Sequence, residues 1–203
     1  MKAGKTILKN TLSLVLITLV AALCLAGIYQ LTKDTIAVSE AAERMESFRV
    51  VYPEADSFEQ LPETVLKDWN GAHPGAELLD GYATLDKDGN KTGIVLSSVS
   101  HNGYGGDVTL SIGIKNDGTV TGVKVTSMSE TSGLGANCQD PEWASQFAGK
   151  KTFPLNYDKS GSPEEDEIDA ITGATITTKA VLEAVNAGVD YAVRYMSDGG
   201  ASE

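Results

Sequence analysis

Hydrophobic and polar positions fall into three regimes along the chain. No charged residue occurs from 10 to 32, and 12–31 reads LSLVLITLVAALCLAGIYQL, an apolar run without a polar face. A helix that crosses ~30 Å of hydrocarbon needs about 20 such residues, so this run predicts one transmembrane helix. The next stretch, TIAVSEAAERMESFRVV over 35–51, is rich in Ala, Glu and Met and ends before Pro53. It predicts a helix that continues as a stalk. Residues 52–80 hold Pro53, Pro62, Pro74, Gly71 and Gly75, which predicts an irregular lead-in with one short helix over 63–69.

From Gly81 the period becomes two. Residues 94–100 predict a strand, and Val108, Leu110, Ile112 and Ile114 alternate with small or polar residues. Asn116-Asp117-Gly118 then predicts a tight turn with a return strand over 120–128, because Asn, Asp and Gly tolerate positive φ. Asp86-Lys87-Asp88-Gly89-Asn90 begins like a calcium loop. Lys91 stands where the sixth-position Gly belongs and Ser97 where the twelfth-position Glu belongs, so a second hairpin turn is expected. The last period is helical: Val181, Leu182, Val185, Val189, Ala192, Val193 and Met196 form one apolar stripe, stopped by Gly199 and Gly200. The expected class is α+β, a twisted antiparallel sheet packed by helices after an N-terminal transmembrane helix. The boundaries are 1–9 for a cytoplasmic N-terminus, 10–32 for the span, 33–80 for stalk and lead-in, and 81–203 for the folded domain.

Charge adds a direction. Lys2, Lys5 and Lys9 are the only charged residues before Lys33; the other 13 of the 16 basic residues face all 28 acidic ones, a formal −15. Such a domain is unsuited to nucleic acid, whose phosphates need a basic footprint. The three lysines predict a cytoplasmic N-terminus and an extracytoplasmic domain, on a cell membrane crossed once. The apolar run exceeds the 7–15 residues of a signal-peptide core and continues through Ile28-Tyr29-Gln30-Leu31 without a small-residue cleavage site. Leu23 is bulky for a lipid-attachment site at Cys24. Cys24 lies in the span and Cys138 far from it, which excludes an internal disulfide and a thiolate-held metal. Redox chemistry in this chain needs an organic cofactor. One span without charged residues cannot conduct ions, and no dinucleotide fingerprint is present.

Candidate chemistry concentrates in 169–179, Asp-Ala-Ile-Thr-Gly-Ala-Thr-Ile-Thr-Thr-Lys. Thr172, Thr175, Thr177 and Thr178 crowd four hydroxyls at the start of the last helix, and Gly173 and Ala174 leave the backbone uncluttered. Two uses remain open on these residues alone. One is a hydroxyl that caps the helix; the other is a phosphate site on free N–H groups and the positive helix end.

Asp169-x-x-Thr172-Gly173-Ala174-Thr175 resembles the Asp-x-x-(Ser/Thr)-Gly-Ala-Thr motif of FMN-binding domains. In that family a separate flavin transferase joins the FMN phosphate to the motif's last threonine, here Thr175. Glu130-Thr131-Ser132-Gly133-Leu134-Gly135 resembles the family's Glu-Thr-x-Gly-Leu-Gly loop, with Ser132 where proline is common. Trp143, Phe147-Ala148-Gly149-Lys150 and Gly103-Tyr104-Gly105-Gly106 also fit. With the anchor, the resemblance covers nearly the whole chain and is strongest to the G subunits of Rnf electron-transport complexes. The C subunits of sodium-pumping NADH:quinone reductases are related and typically longer.

The resemblance implies one covalent FMN per chain at Thr175, with Thr172, Gly173, Ala174, Thr177, Glu130, Thr131, Gly133, Leu134 and Gly135 around it. It implies no catalytic residue and no metal ligand. The implied activity is electron relay in an ion-translocating ferredoxin:NAD⁺ oxidoreductase, with other membrane and peripheral subunits and the flavin transferase as partners. The quinone-reductase subunit and a non-redox membrane-tethered assembly or sensor module are the alternatives. A phosphoester uses the tail of FMN and leaves the redox ring free. Gly133 and Gly135 are expected to bring backbone against that ring with Leu134 over it and Thr131 adding a hydrogen bond. His101, His73 and the acidic 164–167 segment are expected to be surface features.

Overall fold

The computed structural model describes residues 2–72 and 75–197; His73, Pro74, Gly199 and Gly200 lie outside them. Helix α1 runs over Lys2–Val51, and the chain divides into two units, Met1–Glu43 and Arg44–Glu203. In the first unit, Lys9–Lys33 is 25 residues long, about 37 Å of helix. Every side chain from 9 to 33 is exposed, which leaves an apolar surface with the length and composition to cross a bilayer. The hydroxyls of Thr11, Ser13, Thr18 and Thr32 donate back to the carbonyls of Ile7, Lys9, Leu14 and Ile28. Those polar groups therefore need no partner outside the helix.

The second unit is built on a five-stranded antiparallel meander, β1 (Ser57–Gln60), β2 (Ala76–Leu85), β3 (Lys91–Ser100), β4 (Val108–Lys115) and β5 (Val120–Met128), in that spatial order. Both expected hairpins form. Asp86 accepts the N–H groups of Asp88 and Asn90 between β2 and β3, and Asp117 accepts the N–H and hydroxyl of Thr119 between β4 and β5.

Helix α4 (Thr175–Ser197) covers one face. Its buried Val181, Leu182, Val185, Val189 and Ala192 share a core with Leu96, Leu110, Ile112 and Ile114 of the sheet. Val193, expected in that stripe, is 44% exposed and lies off it. Helix α2 (Glu63–Ala72) adds Leu66 and Trp69 to this core, and the Trp69 ring meets Tyr191 edge-on at 5.5 Å.

The other face is covered by the end of α1, where the sequence predicts only a stalk. Phe48, Val51 and Tyr52 are buried with Val95, and Phe58 and Tyr82 pack beside them. Arg44 pairs with Asp80, Ser47 meets Ser111 at 2.7 Å between hydroxyls, and Thr121 donates to the Val51 carbonyl. The physical reason is that both faces of this sheet are apolar or small-residue surfaces, and the second needs a cover. The Ala- and Glu-rich composition of 35–51 hides the single apolar turn that supplies it. The compact unit thus starts at Arg44, and the boundary expected at 81 falls inside β2. The lead-in likewise holds β1 and α2.

Between β5 and α4 the chain forms short pieces: a 3₁₀ turn (Gly135–Gln139), α3 (Pro141–Ala144), a second 3₁₀ turn (Ser145–Phe147), and a two-stranded parallel ribbon of β6 (Asn156–Asp158) and β7 (Glu167–Asp169). This ribbon delivers the 169–175 segment to the start of α4.

Candidate functional site

A tight turn over 171–174 sets the start of α4: the Ala174 N–H donates to the Ile171 carbonyl at 2.9 Å, and Gly173 sits at φ +77°. An L side chain there would be strained, so Gly is the residue this turn accepts. Thr178, fully buried, ties the turn to the helix. Its hydroxyl accepts the Ile171 N–H and donates to the Ala174 carbonyl, both at 3.1 Å. Thr175 is the first residue of α4 and half-buried. Among the described residues nothing hydrogen-bonds its hydroxyl, and nothing accepts the N–H groups of Thr175, Ile176 and Thr177. Three free donors at the positive end of a 23-residue helix suit a phosphate.

A second, similar turn faces the first. Over 131–134 the Leu134 N–H donates to the Thr131 carbonyl at 3.1 Å, with Gly133 at φ +75°. Leu134 packs over Gly173, where an added Cβ would lie 3.2 Å from its Cδ2. Glu130 ties three segments together: its Oε1 accepts the Gly105 N–H at 3.2 Å and its Oε2 accepts the Thr177 hydroxyl at 2.8 Å. A Cβ at Gly135 would come within 2.5 Å of Glu130 Oε2 and of Thr177 Oγ1, so this glycine is required by packing.

These pieces enclose a cleft of about 570 Å³ lined by Tyr104, Glu130, Thr131, Leu134, Gly135 and residues 173–177. Its size is that of a small-molecule site. Three apolar side chains stay exposed on it: Tyr104 (71%), Ile176 (51%) and Leu134 (44%). Exposed apolar groups converging on one cleft are surface kept for a ligand. Phosphate donors at the start of α4 and apolar walls beside them fit FMN.

Eight of the ten residues expected around the cofactor line this cleft; Thr172 and Gly133 are exposed and do not. Gly133, at φ +75° with open space around it, shapes its turn. Tyr104 and Ile176 line the cleft without having been expected there. Tyr104 stands in the Gly-Tyr-Gly-Gly stretch, and Ile176 is an apolar residue off the buried stripe of α4, which is the one signal the sequence carries for it.

Support for the 169–175 segment comes from α3 and its neighbours. Trp143 Nε1 donates to the Asp169 carbonyl at 2.8 Å, and the Asp169 N–H donates to Gln146 Oε1 at 2.7 Å. The Lys150 ammonium donates to the carbonyls of Glu164, Glu165 and Glu167, so the acidic segment is fastened through its backbone as well as solvated. Cys138 is buried near Glu130. Burial, and secondarily the Glu130 charge, push its thiol up to about 11. His101 is not among the residues that line the cleft and pairs through Nδ1 with Asp107 at 2.8 Å, a hydrogen bond that raises its pKa above 6.5.

Residues 103–190 match the FMN-binding domain family, and residues 1–51 match the RnfG N-terminal region. The chain is 33% identical over 192 residues to the G subunit of the ion-translocating oxidoreductase complex of Methanosarcina acetivorans, covering 94% of this chain and 97% of that one. It therefore belongs to the G-subunit family of ion-translocating oxidoreductase complexes. The G subunit of the Na⁺-translocating ferredoxin:NAD⁺ oxidoreductase complex of Acetobacterium woodii is 34% identical to it over 191 residues, 91% of each chain. The crystal structure of the C subunit of the Na⁺-translocating NADH-quinone reductase of Parabacteroides distasonis superposes with a TM-score of 0.54 at 21% identity, over 70% of this chain and 78% of that one. That likeness shows a shared α+β fold. The chain is thus an FMN-binding, membrane-associated electron-transport protein.

Proposed function

We propose that this chain holds one FMN as a phosphoester on Thr175 and relays electrons between neighbouring subunits of an ion-translocating ferredoxin:NAD⁺ oxidoreductase. The observation that carries this reading is the Thr175 hydroxyl, which lines the cleft and has no partner among the described residues. In the linkage Thr175 Oγ takes the place of one phosphate oxygen of FMN. The free N–H groups of Thr175, Ile176 and Thr177 bind the remaining phosphate oxygens. Tyr104, Leu134 and Ile176 give the ring apolar surface and exclude water from part of it. Bound FMN supplies the one- and two-electron chemistry. The names of the relatives support an oxidoreductase complex with other subunits as partners. The phosphoester on Thr175 in turn calls for a flavin transferase in maturation, and the remaining subunits of such a complex, membrane and peripheral, are the partners.

Thr175→Ala, made in a host with the transferase, should fold normally and lose its yellow colour on denaturation. A Thr175→Ala chain that stays yellow when denatured overturns the assignment.

We further propose a single pass, with residues 1–9 cytoplasmic, 10–32 in the bilayer and the FMN-binding unit outside. Lys2, Lys5 and Lys9 before an uncharged span support it. Protease added to sealed right-side-out vesicles should digest the region beyond Lys33. Protection there, with digestion in inverted vesicles, would reverse the topology.

A further inference from the structure

Among the residues that line the cleft, Glu130 is the only carboxylate and there is no basic side chain. The carboxylate is held from several sides. Gly105 N–H and the Thr177 hydroxyl each occupy one oxygen, at 3.2 and 2.8 Å. Cβ atoms on Gly103 and Gly135 would come within 2.7 Å of Oε1 and 2.5 Å of Oε2, so both glycines leave room for it. Three segments thus converge on one side chain. A neutral amide of the same shape would serve that bracing role: its oxygen would accept from Gly105 and its NH₂ would donate to the Thr177 oxygen. Bracing alone therefore gives no reason for a charge at this place. The charge is felt locally, since it adds to the burial that lifts the nearby Cys138 thiol.

We propose that Glu130 sets the redox potential of the bound flavin, holding it more negative than a neutral side chain would. The inference rests on FMN occupying the cleft. At neutral pH a reductant that delivers two electrons, with one proton taken from solvent, leaves one net negative charge on the ring. A fixed carboxylate in the same partly desolvated cleft opposes that added charge more strongly than it would in bulk water. Its two hydrogen-bond donors moderate the effect without removing it. Glu130 acts here through the field at the cofactor, so the flavin's potential is the direct readout.

The test compares full-length wild type, Glu130→Gln and Thr177→Val, purified in detergent from a host with the flavin transferase. Midpoint potentials are read by dithionite titration with mediator dyes. Glu130→Gln should shift the midpoint positively. Thr177→Val keeps the charge and removes a donor from it, so it should shift the midpoint negatively. Opposite signs from changes to two bonded partners cannot come from loosened packing alone. Equal midpoints for wild type and Glu130→Gln, or a positive shift in both variants, overturn the proposal. Should Glu130→Gln not fold, the Thr177→Val shift decides: negative supports the proposal, zero or positive overturns it. A wild type that loses its colour on denaturation removes the covalent reading while the same comparison still decides on Glu130. A wild type colourless when native overturns both.

Discussion

Substituting the two glycines of the 130–135 loop should separate two physical requirements that look alike in the sequence. A methyl added at 135 would lie 2.5 Å from Glu130 Oε2 and Thr177 Oγ1 and 2.9 Å from Glu130 Cβ, separations that real Cβ atoms essentially never show. Either the carboxylate or the hydroxyl must swing away, which breaks their 2.8 Å hydrogen bond. Overpacking costs about 1–3 kcal/mol, and a hydrogen bond to a charged group contributes about 1.5–3 kcal/mol. Because breaking the bond is how the overlap is relieved, the two do not add fully, and Gly135→Ala should cost roughly 2–4 kcal/mol. Gly133 has open space around it and φ +75°. Gly133→Ala should therefore cost only the left-handed strain, about 1–2 kcal/mol, and Gly133→Asn less, because Asn adopts that conformation more readily. Guanidinium unfolding of the full chain in detergent, followed through Trp69 and Trp143, gives these differences by linear extrapolation. Flavin absorbance of the same samples should change for Gly135→Ala and stay put for Gly133→Asn. Wild-type unfolding of Gly135→Ala, or equal damage from Gly133→Asn and Gly135→Asn, would refute the division.

The threonines of the motif should divide in the same way. Thr178→Val leaves the buried Ile171 N–H without an acceptor and should cost about 1–3 kcal/mol, whereas Thr175→Ala removes no hydrogen bond and should unfold near wild type; equal midpoints for the two would contradict this. His101 has a folded pKa raised above 6.5, chiefly by its hydrogen bond to Asp107. Its contribution to stability is therefore fully present below the unfolded value and lost as pH rises through the folded one. His101→Gln should destabilise the chain at about pH 5 and have little effect at about pH 9, a small difference because the pair is exposed and screened. An imidazole that titrates at or below 6.5 by NMR would remove the basis for it.

Local chemistry made much of the fold legible. Asn116-Asp117-Gly118 and the Asp86 turn were readable because their residue types carry their own hydrogen-bonding and φ preferences. The stripe on α4 was readable because five of its positions, from Val181 to Ala192, bury one face over about three turns. Burial that depends on distant partners was not readable. Phe48 and Val51 cover the sheet within one turn of an otherwise Ala- and Glu-rich helix, too short a signal to separate a cover from a stalk. Strands β6 and β7 are three residues each and carry no period.

At the site, the motif residues were found by resemblance, but their division of labour was not. Which of Thr175 and Thr178 has a free hydroxyl and which braces the turn depends on where the Gly173 turn ends, a matter of a few residues in register. Gly133 is needed for its φ of +75°, whereas Gly135 is needed for its contacts with Glu130 and with Thr177, the latter 42 residues away in sequence. Tyr104 and Ile176 read as ordinary apolar residues until the fold shows them exposed on one cleft.

Peptide mass spectrometry of the wild-type chain from its native host tests the central claim most directly. The peptide containing Thr175 should carry the mass of one FMN less one water, with fragment ions that place it on Thr175. An unmodified peptide, or an adduct on Thr172 or Thr177, would contradict the account.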